Sequence, residues 1–461
     1  MTATSPPDER NRVGALLLAL GTVELVALCT MGWWPGAEFP SPGLVLFATA
    51  FGAYALAGWQ VTEQGDPTKL IWLFAIAMRV ALLALTPELS DDVYRYLWDG
   101  HVQLSGTNPY LYAPDAPEVE ALRTAYHDLI NNPTVPTIYP PLAQAAFLLI
   151  AAVGSSLLAA KALWIACDLA TGVVLGRIAR ATGRNEPRVL LLYLWSPLLI
   201  VEVAWSGHLE PLGLLTLSLV ILLATRLGRV TAEEESTEPL GTTASKGAAK
   251  SAWVAVAAGS ALALSALTKF APAAALPALV RRAGWGALAG FILTCIALYA
   301  PFASAAPQLF TGLMTYSEHW WFMKGPFVLL EVITGDSTRA RYLAAFIVIG
   351  VTGWTAAAQY DVDRALLWVL GAGMILTPTL HPWYVLWMMP MAALRTSRPW
   401  IVLSGLAFIG YFGLGGYQDG GAWVQPISAR VAMWVPFLCL LIFDATRGKF
   451  RPDPDRLEQP G

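Results

Sequence analysis

An all-α, polytopic transmembrane protein of about twelve to fourteen helices is the fold the sequence predicts, and three observations predict it. Of 461 residues, 56% are hydrophobic and only 13% are charged, about half the charged share of soluble domains. The mean hydropathy is +0.54. Apolar stretches long enough to cross hydrocarbon as helices recur from residue 13 to residue 445. Disorder, a collagen helix, a disulfide scaffold and a nucleic-acid partner are all poor fits to this composition.

Each element follows from the apolar pattern and its interruptions. Residues 13 to 33 form the first span; no small-residue cleavage site follows it, so it reads as a retained anchor. Spans at 43 to 60 and 68 to 87 come next. Residues 88 to 140 then form a polar outer loop, expected to carry short helices, and loops of that length in compact helical proteins are usually functional. The apolar run 141 to 157 begins at Tyr139-Pro140-Pro141 and is read as re-entrant or interfacial. That choice puts the loop of Arg177, Arg180, Arg184 and Arg188, and most of the 29 Lys and Arg residues, in the cytoplasm. Spans follow at 158 to 178, 188 to 205 and 209 to 227.

Residues 228 to 251, with Glu233-Glu234-Glu235 and a Gly/Ala/Ser/Lys run, read as a flexible cytoplasmic linker. Beyond it lie spans at 252 to 268, 270 to 282 and 284 to 301, a second long outer loop at 302 to 337, and spans at 338 to 358, 364 to 380, 382 to 394, 399 to 416 and 427 to 445. The tail, 446 to 461, is expected in the cytoplasm. Cys29, Cys167, Cys295 and Cys439 lie singly in apolar segments and read as small buried hydrophobes without disulfides.

Chemistry concentrates at the start of the first outer loop, Ser90-Asp91-Asp92-Val93-Tyr94-Arg95-Tyr96-Leu97-Trp98-Asp99-Gly100. If this run is helical, Ser90 is a natural N-cap and Asp92, Arg95 and Asp99 share one face. An acidic face with one fixed cation suits a sugar hydroxyl beside a phosphate. The plainer alternative is that the acids only favour the positive end of a helix. Tyr94, Tyr96 and Trp98 weigh against it, as rings that anchor at the lipid interface or stack on sugars.

Other polar residues gather on the same side in this topology: His208 and Glu210, Lys269, His319 within Glu318-His319-Trp320-Trp321, Arg339 and Arg341, and His381-Pro382-Trp383-Tyr384. The segments after Lys269 and His381 are too short for a full crossing, which would recess both residues below the membrane surface. An ionisable group there is a site candidate by default. Asn108-Pro109-Tyr110 and Thr137-Ile138-Tyr139 read as turn chemistry. No nucleotide-binding glycine loop, nucleophile elbow or metalloprotease motif occurs, so a glycosyl donor on the outer side would have to be membrane-borne.

The Asp91-Asp92-x-x-Arg95-Tyr96-x-Trp98-Asp99-Gly100 run, with Asn108-Pro109-Tyr110 and Tyr139-Pro140-Pro141 after it, resembles bacterial members of the GT-C superfamily of integral membrane glycosyltransferases, particularly the polyprenol-phosphate-mannose-dependent mannosyltransferases. The resemblance spans about residues 68 to 400. It implies a sugar, mannose by family weight, moved from a polyprenyl-phosphate donor to a glycan or glycolipid hydroxyl at the extracytoplasmic face of the cell membrane. It implies Asp91 or Asp92 as the base and Arg95, Lys269 or Arg341 at the donor phosphate; the polar and aromatic residues gathered on the outer side add Tyr94, Trp98, Asp99, His208, Glu210, His319 and His381 as candidate substrate contacts. No metal is assigned by it.

Two rivals remain. A transporter or lipid flippase also places charges among helices, but short loops and repeat symmetry, its usual marks, are not evident. A protein O-glycosyltransferase of the same superfamily would differ only in its acceptor.

Overall fold

The computed structural model describes residues 7–33, 41–61, 66–236, 243–414 and 423–447. In chain order its α-helices are α1 (Pro7–Trp33), α2 (Ser41–Gln60), α3 (Thr68–Leu83), α4 (Asp92–Leu104), α5 (Pro141–Ala152), α6 (Leu157–Ala181), α7 (Glu186–Leu194), α8 (Pro197–Ile200), α9 (Glu210–Ser236) and α10 (Thr243–Ala266). They continue as α11 (Leu276–Ala283), α12 (Trp285–Tyr299), α13 (Thr311–His319), α14 (Phe327–Thr334), α15 (Ser337–Ala357), α16 (Val362–Leu376), α17 (Met389–Arg395), α18 (Arg398–Leu406) and α19 (Ile427–Thr446). Among the described residues the only β pairing is an isolated bridge between Phe322 and Thr379. The chain is an all-α, multi-pass membrane protein.

Seven helices among the described residues are long and apolar enough to cross a bilayer, and an eighth crossing results if α7 and Pro197–Trp205 count as one span bent by 50°. Several other segments read as spans in the sequence are short or broken. Residues 270 to 282 form a 3-10 turn (Ala271–Ala275) and then α11. Residues 382 to 394 form a 3-10 turn (Pro382–Met388) and then α17. Pro272, Pro277, Pro382 and Pro390 lack the N–H that a continuous helix needs. Helix α5, read as re-entrant or interfacial, has 12 residues, about 18 Å at 1.5 Å per residue, short of the roughly 30 Å of hydrocarbon.

Of the stretch read as a linker, residues 237–242 lie outside the described residues, and the ends of α9 and α10 flank them. Of the tail, 448–461 lie outside them as well. The cysteines are all free, but only Cys167 is buried; Cys439 is exposed on α19, because the outside of a membrane bundle is itself apolar and gives a small hydrophobe no reason to turn inward.

Several charged residues inside the bundle are paired, although Glu24, fully buried on α1, has no hydrogen-bond partner on either carboxylate oxygen among the described residues. Arg79 on α3 donates from Nε to Asp168 on α6 at 2.5 Å and from Nη1 to the carbonyls of Ala75 and Leu194, both at 2.9 Å. Lys161, fully buried on α6, donates to the carbonyl of Leu85. Its charge caps the C-terminal end of α3 and fixes the chain just ahead of Asp91. Trp205 Nε1 ties to the carbonyl of Thr86 at 2.8 Å.

Helix α4 lies against α5 and α6 because its apolar side chains Val93, Tyr96 and Leu97 face the core. Tyr96 stacks on Phe147 of α5 with ring centroids 4.8 Å apart. Gly100 permits this approach: a Cβ there would stand 2.2 Å from the carbonyl oxygen of Phe147. After α8 the chain makes a π turn, Val201–Trp205, and reverses at Gly207, φ +77°, a conformation that favours glycine. This reversal delivers His208 and Glu210 to the level of α4.

Candidate active site

The N-terminus of α4 opens into a cavity of about 440 Å³ where charged and polar side chains (Asp91, Asp92, Arg95, Asn131, Lys269, His381) meet aromatic ones (Tyr316, Trp320, Phe322, Trp383, Tyr384), among others. Asp91 holds the cap position of α4 without a side-chain cap bond. Ser90, expected as the cap, instead accepts from the Asp92 N–H at 3.3 Å. One side chain joins the acids: Asn131 Nδ2 donates to Asp91 Oδ1 and to Asp92 Oδ1, each at 2.7 Å. Burial, and then the adjacent Asp92 charge, push the Asp91 carboxyl up to about 6. Burial raises Asp92 as well, against the pull of Lys269.

Behind Asp92 lies a second polar layer. His208 is fully buried, its Nδ1 3.7 Å from Asp92 Oδ2 and its Nε2 3.4 Å from Glu202 Oε2. Burial holds it well below the usual imidazole range, so the ring is neutral and carries a hydrogen on only one nitrogen. Tyr411 donates to Glu202 Oε1 at 2.7 Å, and the His208 ring stacks on Trp383 at 4.1 Å.

Lys269 pairs with Glu210, the first residue of α9, and lies 4.6 Å over the ring of Tyr384. It also lines a second cavity of about 390 Å³, walled mostly by apolar side chains such as Phe270, Leu313, Val369 and Met374. The two cavities share Ile138, Tyr139, Lys269, Tyr316 and Tyr384. The bridge of Phe322 to Thr379, with Phe322 N–H to Pro378 O at 3.0 Å and Leu380 N–H to Phe322 O at 2.8 Å, secures the far wall. There His381 is stacked between Phe322 and Trp383, each at 4.4 Å.

The structure therefore brings Asp91, Asp92, Arg95, Lys269 and His381 to one cavity, with His208 and Glu210 directly behind. Other expected residues lie elsewhere. Asp99 is sealed from the cavity: it accepts from Arg95 Nε at 3.0 Å, Thr137 Oγ1 at 2.5 Å and Gln144 Nε2 at 2.9 Å. It holds the Arg95 guanidinium in place, with a further bond from Arg95 Nη2 to the carbonyl of Val135 at 2.9 Å. Trp98 packs with Val102, Val119 and Ile130 in a small core of the loop, and Tyr94 packs against it and Tyr126. Their rings fill the loop and do not line the cavity. His319 is exposed, its Nδ1 2.9 Å from the carbonyl of Thr315. Arg341 donates to the carbonyls of Glu318 and Trp320 and lines a separate cavity.

Asn131, Glu202 and Tyr316 are the residues that sequence reasoning missed, and Tyr139, read as part of a turn, lines both cavities. Glu202 had a signal, a lone carboxylate in an otherwise apolar run; Asn131 had none. Among the described residues no group of three or more His, Cys, Asp or Glu side chains could hold a metal ion.

A family described as "Alpha-(1->6)-mannopyranosyltransferase, N-terminal domain" matches residues 13–285, which include both acids, Arg95, Asn131, Glu202, His208, Glu210 and Lys269. A "probable alpha-(1->6)-mannopyranosyltransferase" of Mycolicibacterium smegmatis (strain ATCC 700084 / mc(2)155) is 26% identical over 91% of this chain and 82% of its own length. No solved structure gives a significant match.

Proposed function

The chain belongs to the alpha-(1->6)-mannopyranosyltransferase family, and from that membership we propose that it transfers mannose from a polyprenyl-phosphate donor to a hydroxyl of a glycan or glycolipid, forming an α-1,6 linkage at the extracytoplasmic face of the membrane. One observation carries the donor class: the cavity that holds the acids adjoins one walled almost wholly by apolar side chains, and Lys269 is the cation in their shared wall. A sugar in the first, an isoprenoid chain in the second and a phosphate at Lys269 account for all three features.

Asp91 is the base in this reading. Asp92 is engaged by Asn131 on one oxygen and faces His208 with the other, whereas among the described residues Asn131 is the one side chain that binds Asp91. Its raised carboxyl, near 6, matches the general rule that a base works best with a proton affinity near the operating pH. Asp91 takes the acceptor hydroxyl's proton as that oxygen attacks the anomeric carbon, and the C–O bond to the phosphate breaks with its electron pair leaving on phosphate. The path resembles an oxocarbenium ion, with base and leaving group on opposite faces of the sugar. Lys269 stabilises the departing phosphate. Asp92, His208 and Glu202 position the acid pair.

The orientation rests on charge. Arg184, Arg282, Arg395 and Arg398 meet at the end of the bundle away from the acids, through ion pairs with Asp361, Asp363 and Asp444. An arginine-rich end favours the cytoplasm. The test is transfer by purified protein in lipid, offered polyprenyl-phosphate-mannose and a mannoside acceptor. Wild type should transfer and Asp91→Asn should not. Transfer from a nucleotide-linked mannose instead, with none from the lipid donor, refutes the donor class.

A further inference from the structure

The arginine-rich end contains a feature that this reaction does not use. A cavity of about 190 Å³ lies there, lined by Arg184, Arg364, Arg395, Ser397, Leu394 and Asp444, among others. It has the volume of about six waters at roughly 30 Å³ each, enough for a phosphoryl group. Asp363 accepts from Arg184 Nη2 and from Arg395 Nη2, both at 2.8 Å, and Asp444 accepts from Arg398 Nη2 at 2.6 Å, so with Arg364 in the lining the guanidiniums outnumber these two carboxylates and leave positive charge in excess. Arg184 Nη1, Arg395 Nε and the Ser397 hydroxyl are buried without a hydrogen-bond partner. Ser397 is only 7% exposed. It stands at the N-cap of α18 yet makes no cap bond, so its hydroxyl and the positive end of that nine-residue helix are both available to an anion.

Buried donors without partners are costly, and three of them around an excess of positive charge call for an acceptor-rich anion. We propose that this cavity binds a phosphate group, with Arg184, Arg364, Arg395 and Ser397 as its donors. Its position points to an anionic phospholipid headgroup as the carrier. Asp444 lies in the last turn of α19, a membrane-crossing helix, and Arg184 follows the end of α6, another. Lipid phosphates lie at that depth. Inorganic phosphate offers the same chemistry without the lipid.

The test uses the full chain in detergent, with native mass spectrometry reading retention of added phosphatidylglycerol or phosphatidylcholine, and melting temperature reading inorganic phosphate. Arg364→Gln and Ser397→Ala remove donors without stripping Asp363 of its partners. Arg177→Gln removes an equal charge from an exposed position at the same end. Wild type and Arg177→Gln should retain one phosphatidylglycerol equally well. Arg364→Gln should retain it about tenfold more weakly, the value of one charge-assisted hydrogen bond, and Ser397→Ala should be weaker than wild type. Phosphatidylcholine retention should not separate wild type from Arg364→Gln. Melting that rises with phosphate alone in wild type, and not in Arg364→Gln, assigns the cavity to a free phosphate. Equal losses in Arg177→Gln and Arg364→Gln would reveal only diffuse surface charge and overturn the proposal. It is overturned equally if neither lipid nor phosphate distinguishes wild type from Arg364→Gln.

Discussion

Replacing Lys269 by methionine removes the cation between the two cavities and leaves Glu210, fully buried, without its partner. Removing one member of a buried ion pair costs about 3–5 kcal/mol, because the other charge remains uncompensated. The Lys269 side chain is 21% exposed, so water already screens part of the pair and the lower end, about 3 kcal/mol, is expected. Glu210→Gln added to Lys269→Met leaves no uncompensated charge and should restore most of that stability. Transfer should behave differently. Loss of a preorganised charge aimed at the leaving group lowers turnover about 10²–10³-fold, and the double variant regains none of it. Thermal unfolding in detergent and single-turnover transfer, measured on wild type, both single variants and the double, separate the two effects. Transfer that recovers together with stability would show that Lys269 serves only to neutralise Glu210, and the phosphate role would fall.

Three other outcomes are expected. The Asp91 carboxyl is raised to about 6 and acts as a base only when ionised, so kcat/KM should be full above that pH and fall as pH drops through it; a profile flat from pH 5 to 8 contradicts the assignment. Gly100→Ala places a methyl group 2.2 Å from the Phe147 carbonyl oxygen and should destabilise the protein by about 1–3 kcal/mol through forced separation of α4 and α5, seen as a lower melting temperature. His208→Phe keeps a ring to stack on Trp383 but removes both nitrogens that face Asp92 and Glu202; kcat should fall with donor KM little changed, and an unchanged pH profile would make His208 merely a packing residue.

The apolar pattern and the Asp91-Asp92 run were legible because each depends on neighbouring residues. Lys269 and His381 were legible too, because a charged or polar side chain before a short apolar segment is a local anomaly. What was not legible depended on which faces meet. Spacing placed Asp92, Arg95 and Asp99 on one side of α4, but not that Thr137 and Gln144 would close over Asp99. Trp98 and Tyr94 resembled sugar platforms, yet the loop needs its own small core and takes them for it. Asn131 sits in a turn of polar residues that no period distinguishes, and its role exists only once the loop folds back on α4.

That amide has two hydrogens and gives one to each acid. The acids' proton affinity is therefore tied by thermodynamic linkage to the conformation of a loop segment some forty residues downstream. An acceptor that displaces Asn131 on binding must change how many protons the pair holds, and the buffer would supply or take up the difference. Acceptor binding should accordingly register as an enthalpy that varies with the ionisation heat of the buffer, before any glycosidic bond is made.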